Sequence, residues 1–214
     1  NILDNGSTDG TLESIKYYEL SIKEKIAKFN FIESKLNLGM WPGHEELLKH
    51  SAGKYVVVLS VDVILDKDFV SNSVKAMDKD DKIGALQAKI YQYNIRDLKI
   101  ENWKQPSEAE PQPNEVEQWP MWPWPIWPLE IGGTIDTCGF QIYKSRRIIN
   151  IGHGEKDVGQ FNQEKEVFGV EGAVPVFRKN ALESCRVMGE IADHDIFWYA
   201  EDLDVVWRMR VFGW

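Results

Sequence analysis

The sequence predicts an α/β fold with a mainly parallel central sheet flanked by helices, and three observations predict it. Apolar runs of strand length alternate with amphipathic stretches of helix length from residue 2 to about residue 90. The run YVVVL at 55–59 is continuously apolar and bounded by polar turns, the pattern of a strand buried on both faces. A chain of 214 residues, 43% of them apolar, can bury a real core as one domain. Ligands of such sheets sit beyond the carboxyl ends of the strands.

The elements follow in order. Residues 2–5 read as a strand end, and Asn5-Gly6 as a turn. Residues 11–28 carry Leu12, Ile15, Leu20, Ile22 and Ile26 among charges, which suits an amphipathic helix with Asp9 or Thr11 near its N-cap. A short strand at 29–33, a helix at 43–51 punctuated by Gly53, the strand at 55–59, a helix at 69–77 and a strand at 83–90 complete the alternation. The rhythm then breaks. Residues 102–118 are polar and proline-bearing, and WPMWPWPIWP at 119–128 alternates Trp with Pro too densely for a helix or a central strand. Polyproline II or linked turns remain, and the four tryptophans argue against plain disorder. Residues 94–130 therefore read as an insertion, with Trp119, Trp122, Trp124 and Trp127 as an ordered lip or as packing against the domain. Order returns at 139–143, followed by turns through Gly152 and Gly154, a strand at 173–177, a helix at 179–185 and a last helix opening at Glu201.

Composition removes several classes. A net charge of -9, with Lys144, Arg146 and Arg147 as the one compact basic group, argues against a nucleic-acid partner. Cys138 and Cys185 are too few and too distant for a disulfide framework, so a reducing, cytoplasmic compartment is expected. No run of about eighteen apolar residues occurs, so no membrane span is expected, and no signal peptide opens the chain. The opening residues read as the end of a strand and the last three as cut off, so a fragment lacking its first strand is expected.

Five segments in order carry a family resemblance: ILDNGSTDGT at 2–11, NLG at 37–39, LSVDVILDKDF at 59–69, VEGAVPVFRKNAL at 170–182 and FWYAEDLD at 197–204. Together they resemble family 2 glycosyltransferases, of the bacterial rhamnosyltransferase-like kind. The resemblance implies a GT-A-like nucleotide-binding fold. It implies an inverting enzyme that moves a sugar from a nucleotide-diphosphate sugar to a glycan or lipid-linked acceptor, in surface polysaccharide synthesis. It also implies a divalent cation, Mg²⁺ or Mn²⁺. Peripheral membrane association, at the inner face, stays open. The resemblance lapses across the Trp/Pro insertion.

Each implied site has a plainer reading beside it. Asp4, with Asn5, Ser7 and Asp9, sits where a carboxylate at a strand end can accept a pyrimidine N–H or a ribose hydroxyl; an ordinary Asx turn with Asp9 capping the next helix is the alternative. Asn37 and Gly39 match the next donor turn, and His44 falls where the family tends to have Asn. Asp62 ends an apolar strand, where its carboxylate would hold the cation on the diphosphate. Ser60 stands where the family has Asp or Asn, leaving one carboxylate, and Asp66 and Asp68 suit a helix start. Glu201 and Asp202 open the last helix as the catalytic pair, Asp202 as base and Glu201 shaping the acceptor pocket, each raising the other's pKa. Helix-dipole complementarity is the plain alternative, preferred for Asp204 with an Arg208 ion pair. Trp198 and Tyr199 suit either stacking on a sugar or the core, and His194 lies in a polar run that reads as a solvated turn. Two rival classes use the same residues: a catalytically silent glycan- or protein-binding module, favoured by Ser60, and an interaction domain whose Trp/Pro loop is the working part.

Overall fold

The computed structural model describes residues 1–26, 28–93, 133–197 and 199–214. The Trp/Pro segment with its four tryptophans, and Trp198, lie outside the described residues.

The chain opens with a β-α-β unit. Strand β1 (Ile2–Asn5) pairs in parallel with β2 (Phe31–Ser34), setting Asp4 opposite Glu33, and helix α1 (Thr11–Lys25) makes the crossover. The helix ends before residue 28 because Ile26 is already extended. Gly10, in the left-handed region, is its N-cap, while Asp9 Oδ1 accepts the Thr11 hydroxyl at 2.6 Å and amide at 3.2 Å.

Helix α2 (Met40–Lys49) starts earlier than its expected first residue, 43. Pro42 lies in the first turn, where amides have no intrahelical acceptor, so its missing N–H breaks nothing.

Strand β3 (Tyr55–Val57), helix α3 (Phe69–Met77) and strand β4 (Ala85–Leu86) follow as the rhythm implies. However, β3 and β4 do not pair. Strand β9 (Val176–Arg178) lies between them and runs antiparallel to both, in the order β3-β9-β4. The expected strand at 83–90 divides into β4 and β5 (Ile90–Tyr91), and between them Gln87 accepts the Glu171 amide at 2.7 Å and donates to the Ala88 carbonyl. Strand β5 pairs with β6 (Ile135–Thr137), and β7 (Phe140–Ile142) with β8 (Ile148–Asn150), both antiparallel. Among the described residues one pairing of five is parallel, so the helix-strand alternation is present but the expected mainly parallel central sheet is not formed as one sheet. Helices α4 (Lys179–Ser184) and α5 (Glu201–Val211) close the fold. No helix among the described residues is long and apolar enough to cross a membrane.

The core forms where α2, β9, α4 and α5 converge. Trp41 meets Phe177 edge-on at 6.1 Å, and Leu182, Cys185, Val205 and Met209 are among the residues buried with them. Each such large side chain contributes about 1.5–3 kcal/mol on burial. Arg178 is buried at the edge of this core without an energetic conflict. Its guanidinium donates to the carbonyls of Met77, Asp80 and Ile83 and pairs with Asp81 at 3.3 Å. Cys138 and Cys185 are both free thiols.

Candidate active site

The first wall of the site is a pair of interlocked turns. Asp4 is buried at 3% exposure at the end of β1; its Oδ2 accepts the Ser7 amide at 3.3 Å, and its Oδ1 has no protein partner. Gly6 has φ 80, and a β-carbon there would lie 2.8 Å from the Leu36 carbonyl carbon, so the two turns touch backbone to backbone. Asn5 fastens them. It donates to Asn37 Oδ1 and to the Gly39 carbonyl, both at 3.1 Å, and accepts the Leu38 amide at 2.9 Å. Asn37 Oδ1 also accepts the Gly39 amide at 2.9 Å. Asp4, Asn5, Ser7, Asn37 and Gly39 are thus brought together as expected. Asp9 is exposed, and the Thr11 hydroxyl and amide, in an Asx turn just ahead of α1, hold its carboxyl below the usual range.

The second wall continues β3 beyond its last ladder pair. Val58 and Ser60 donate to the carbonyls of Pro175 and Ala173 at 3.1 and 2.9 Å, which sets the Asp62 turn beside residues 171–173. The Asp62 carboxylate is exposed, and its carbonyl accepts the Tyr93 hydroxyl at 2.8 Å. Asp66 and Asp68 serve the start of α3: Asp66 Oδ1 accepts the Asp68 amide, and Asp68 is the N-cap. Among the described residues no three metal-ligating side chains converge. A hard cation on Asp62 therefore fits only as one shared with ligand oxygens, as a diphosphate would provide.

The third wall carries the carboxylate pair. Tyr199 and Ala200 both have φ 67, left-handed backbone in two successive non-glycine residues, at about 1–2 kcal/mol each. That strain turns the chain into α5 and places Glu201, 8% exposed, with Oε2 buried and without a partner. Asp202 accepts the Gly172 amide on Oδ2 at 3.1 Å and the Leu203 amide on Oδ1 at 2.8 Å. Burial pushes both carboxyls above the usual range. For Asp202 the Leu203 and Gly172 amides pull back against burial; for Glu201 its own amide does so, and the Asp202 charge adds a smaller rise. Burial is thus the main cause of both shifts, and the expected repulsion between the two carboxylates is a smaller contribution, seen at Glu201.

Several residues differ from expectation. Glu171 was missed: its Oε2 accepts the Ala173 amide at 3.0 Å, and burial, with the charges of Asp202 and Asp136 behind it, pushes its carboxyl up. A lone Glu before Gly-Ala inside an apolar run was the signal available. His194 lies in an exposed turn as expected, and the structure adds a partner: its Nε2 lies 3.0 Å from buried Glu45. His44 packs edge-on against Trp41 at 5.6 Å, and burial lowers its pKa. Asp204 pairs with Arg208 at 2.9 Å as expected. The Asn37-Leu38-Gly39 turn and the loop ahead of α5 meet at Gly39, where a β-carbon would lie 3.3 Å from the Phe197 ring.

Comparison with known proteins agrees with this geometry. The sequence profile of Glycosyl transferase family 2 matches residues 2–127. The fold is similar to that of mannosyltransferase PcManGT from Pyrobaculum calidifontis, solved in complex with GDP-Man and Mn²⁺, with a TM-score of 0.54 at 15% identity. The match covers 99% of this chain and 42% of that one, so the chain spans less than half the length of that protein. The likeness gives a GT-A type of mixed α/β fold. A search of curated proteins finds no match.

Proposed function

The chain belongs to Glycosyl transferase family 2, and on that footing we propose that it transfers a sugar from a nucleotide-diphosphate sugar to a glycan or lipid-linked acceptor, with inversion and with Asp202 as base. The observation that carries the reading is the Asp202 carboxylate, held by two amides beside a second buried carboxylate at a strained helix start. Residues 1–214 act as one transferase domain interrupted by the insertion at about 94–130. Surface polysaccharide synthesis at the inner face of a membrane is the setting this reading favours.

In the reaction, Asp4 Oδ1 accepts a donor-nucleotide N–H or hydroxyl, and the Asn5-Asn37-Gly39 lock keeps that turn in place. Asp202 takes the proton of the acceptor hydroxyl as its oxygen attacks the anomeric carbon from the face opposite the diphosphate. The new carbon–oxygen bond forms as the bond to phosphate breaks, and the nucleoside diphosphate leaves with the electron pair. Glu201 and Glu171 flank the acceptor. Asp62, together with ligand oxygens, would hold Mg²⁺ or Mn²⁺, which would supply charge neutralisation on the diphosphate.

Ser60, with no carboxylate to add to Asp62, is the observation that favours a silent binding module instead. One experiment separates the two. The protein is given a panel of nucleotide-diphosphate sugars with Mn²⁺ or with chelator, and release of nucleoside diphosphate is followed alongside calorimetric binding. Metal-dependent release and binding, both lost in Asp62→Ala, are expected. Equal donor affinity with and without metal removes the cation, and binding without turnover for every donor leaves the silent module.

A further inference from the structure

Glu45 is a carboxylate on a helix whose sequence gives no reason for one to be buried, yet it is 7% exposed and fully engaged. Its Oε1 accepts the Ile191 amide at 2.9 Å and lies 3.0 Å from His194 Nε2; its Oε2 accepts Arg186 Nη1 at 2.6 Å. All three partners belong to one loop, residues 186–194, and none to the helix that carries Glu45. Burial pushes the carboxyl up, but the bonds from His194, Ile191 and Arg186 outweigh it, and the net shift is downward.

The two segments that Glu45 joins lead directly into the two halves of the site. Gly39 is the N-cap of helix α2, so the first turn of the helix continues the Asn37-Leu38-Gly39 turn locked to Asn5. The loop runs on through Phe197, whose ring faces Gly39, into the left-handed pair Tyr199-Ala200 and then Asp202. On its other side the loop is fixed to α5, where Asp204 Oδ2 accepts the Asp193 amide and Arg208 donates to the Glu190 carbonyl, both at 2.8 Å. Glu45 is thus the polar tie between the helix of the donor turn and the loop of the base.

We propose that Glu45 is a positioning residue for sugar transfer, setting the base-bearing loop against the donor-bearing helix through Ile191, His194 and Arg186. The role rests on the transferase reading above. Glu45 contacts no substrate; it acts through the placement of Asp202, and a misplacement of about 1 Å is enough to cost on the order of 100-fold in rate. A purely structural role, satisfying the Ile191 amide inside the core, would instead lower melting temperature and ligand affinity together.

The test uses Glu45→Gln and, from the loop side, His194→Ala. It measures kcat and KM for transfer, calorimetric affinity for GDP and UDP with Mn²⁺, and amide hydrogen exchange. In both variants kcat is expected to fall about 10–100-fold while nucleotide affinity stays within about threefold. Exchange should quicken over residues 190–197 and stay unchanged in β1 and β9. If Glu45→Gln does not fold, His194→Ala still gives the split between kcat and affinity. Wild-type kcat in His194→Ala and in any folded Glu45→Gln overturns the proposal, as does a parallel fall of kcat, affinity and melting temperature. Wild-type protein that transfers no sugar removes the reaction itself and this role with it, an outcome distinct from active wild type with unimpaired variants.

Discussion

The Gly172 amide donates to Asp202 Oδ2 at 3.1 Å, tying the base-bearing helix start to the turn at residues 171–173. Asp202 stays available as an acceptor of a proton, because each of its oxygens meets only one amide and no cation pairs with it among the described residues. Burial raises its pKa, and in the proposed reaction the ionised form is the base. The acid limb of kcat is therefore expected at a pH above about 3.9, the ordinary aspartate value. A pH-rate profile of transfer checks this, and an acid limb at or below that value would place the base elsewhere.

Asp4 leaves one buried carboxylate oxygen without a partner, a cost that a nucleotide donor can remove. Asp4→Asn is expected to weaken nucleotide binding by about 10–100-fold, the size of a lost hydrogen bond to a charged group. Its melting temperature should hold or rise, since the buried charge is gone. Calorimetry and a thermal melt on the same sample test both halves, and unchanged affinity would return Asp4 to the ordinary turn reading.

Asp157, buried at 4% exposure, anchors the strands on either side of the insertion. It accepts Lys89 Nζ at 2.7 Å, the Tyr91 hydroxyl and the Gly159 amide at 2.9 Å, while its own amide reaches Gly133. Lys89 first, then Tyr91 and Gly159, pull its pKa down to about 2, and burial with Asp157 pushes Tyr91 up to about 12. A depressed carboxyl stabilises the fold above its unfolded value, about 3.9, and loses that contribution as pH falls through the folded value. The melting gap between wild type and Asp157→Asn should therefore be full at pH 5–7 and close toward about pH 2. A gap that does not change with pH would mean packing, not charge, holds this cluster.

Local pattern carried the fold as far as local causes reach. Residues 69–77 and the helix at Glu201 were legible because apolar spacing and terminal charges act within a few residues of each other. The insertion of β9 between β3 and β4 left no trace, since it pairs residues about 90 and 120 positions apart and depends on no local signal. The same holds for chemistry. Asp4, Asn37, Asp62 and Asp202 lie in short segments whose turn and helix-start patterns are readable locally, whereas Glu171 is marked only by the approach of Asp202 in space. Glu45 was hidden for a sharper reason: a Glu on a helix is usually solvent-facing, and only the loop at 186–194 makes this one buried. Pro42 misplaced the start of α2 because a proline ends helices in their interior but is tolerated in their first turn.

The most direct measurement is the rate of sugar transfer by Asp202→Asn, taken with calorimetric donor binding on the same preparation. The substitution keeps the size of the side chain and removes its capacity as a base. Transfer is expected to fall by about 10²–10⁴-fold with donor affinity nearly unchanged. A loss of less than about tenfold, with donor binding intact, would contradict the assignment of Asp202 as base and leave the carboxylate pair as helix-start charges alone.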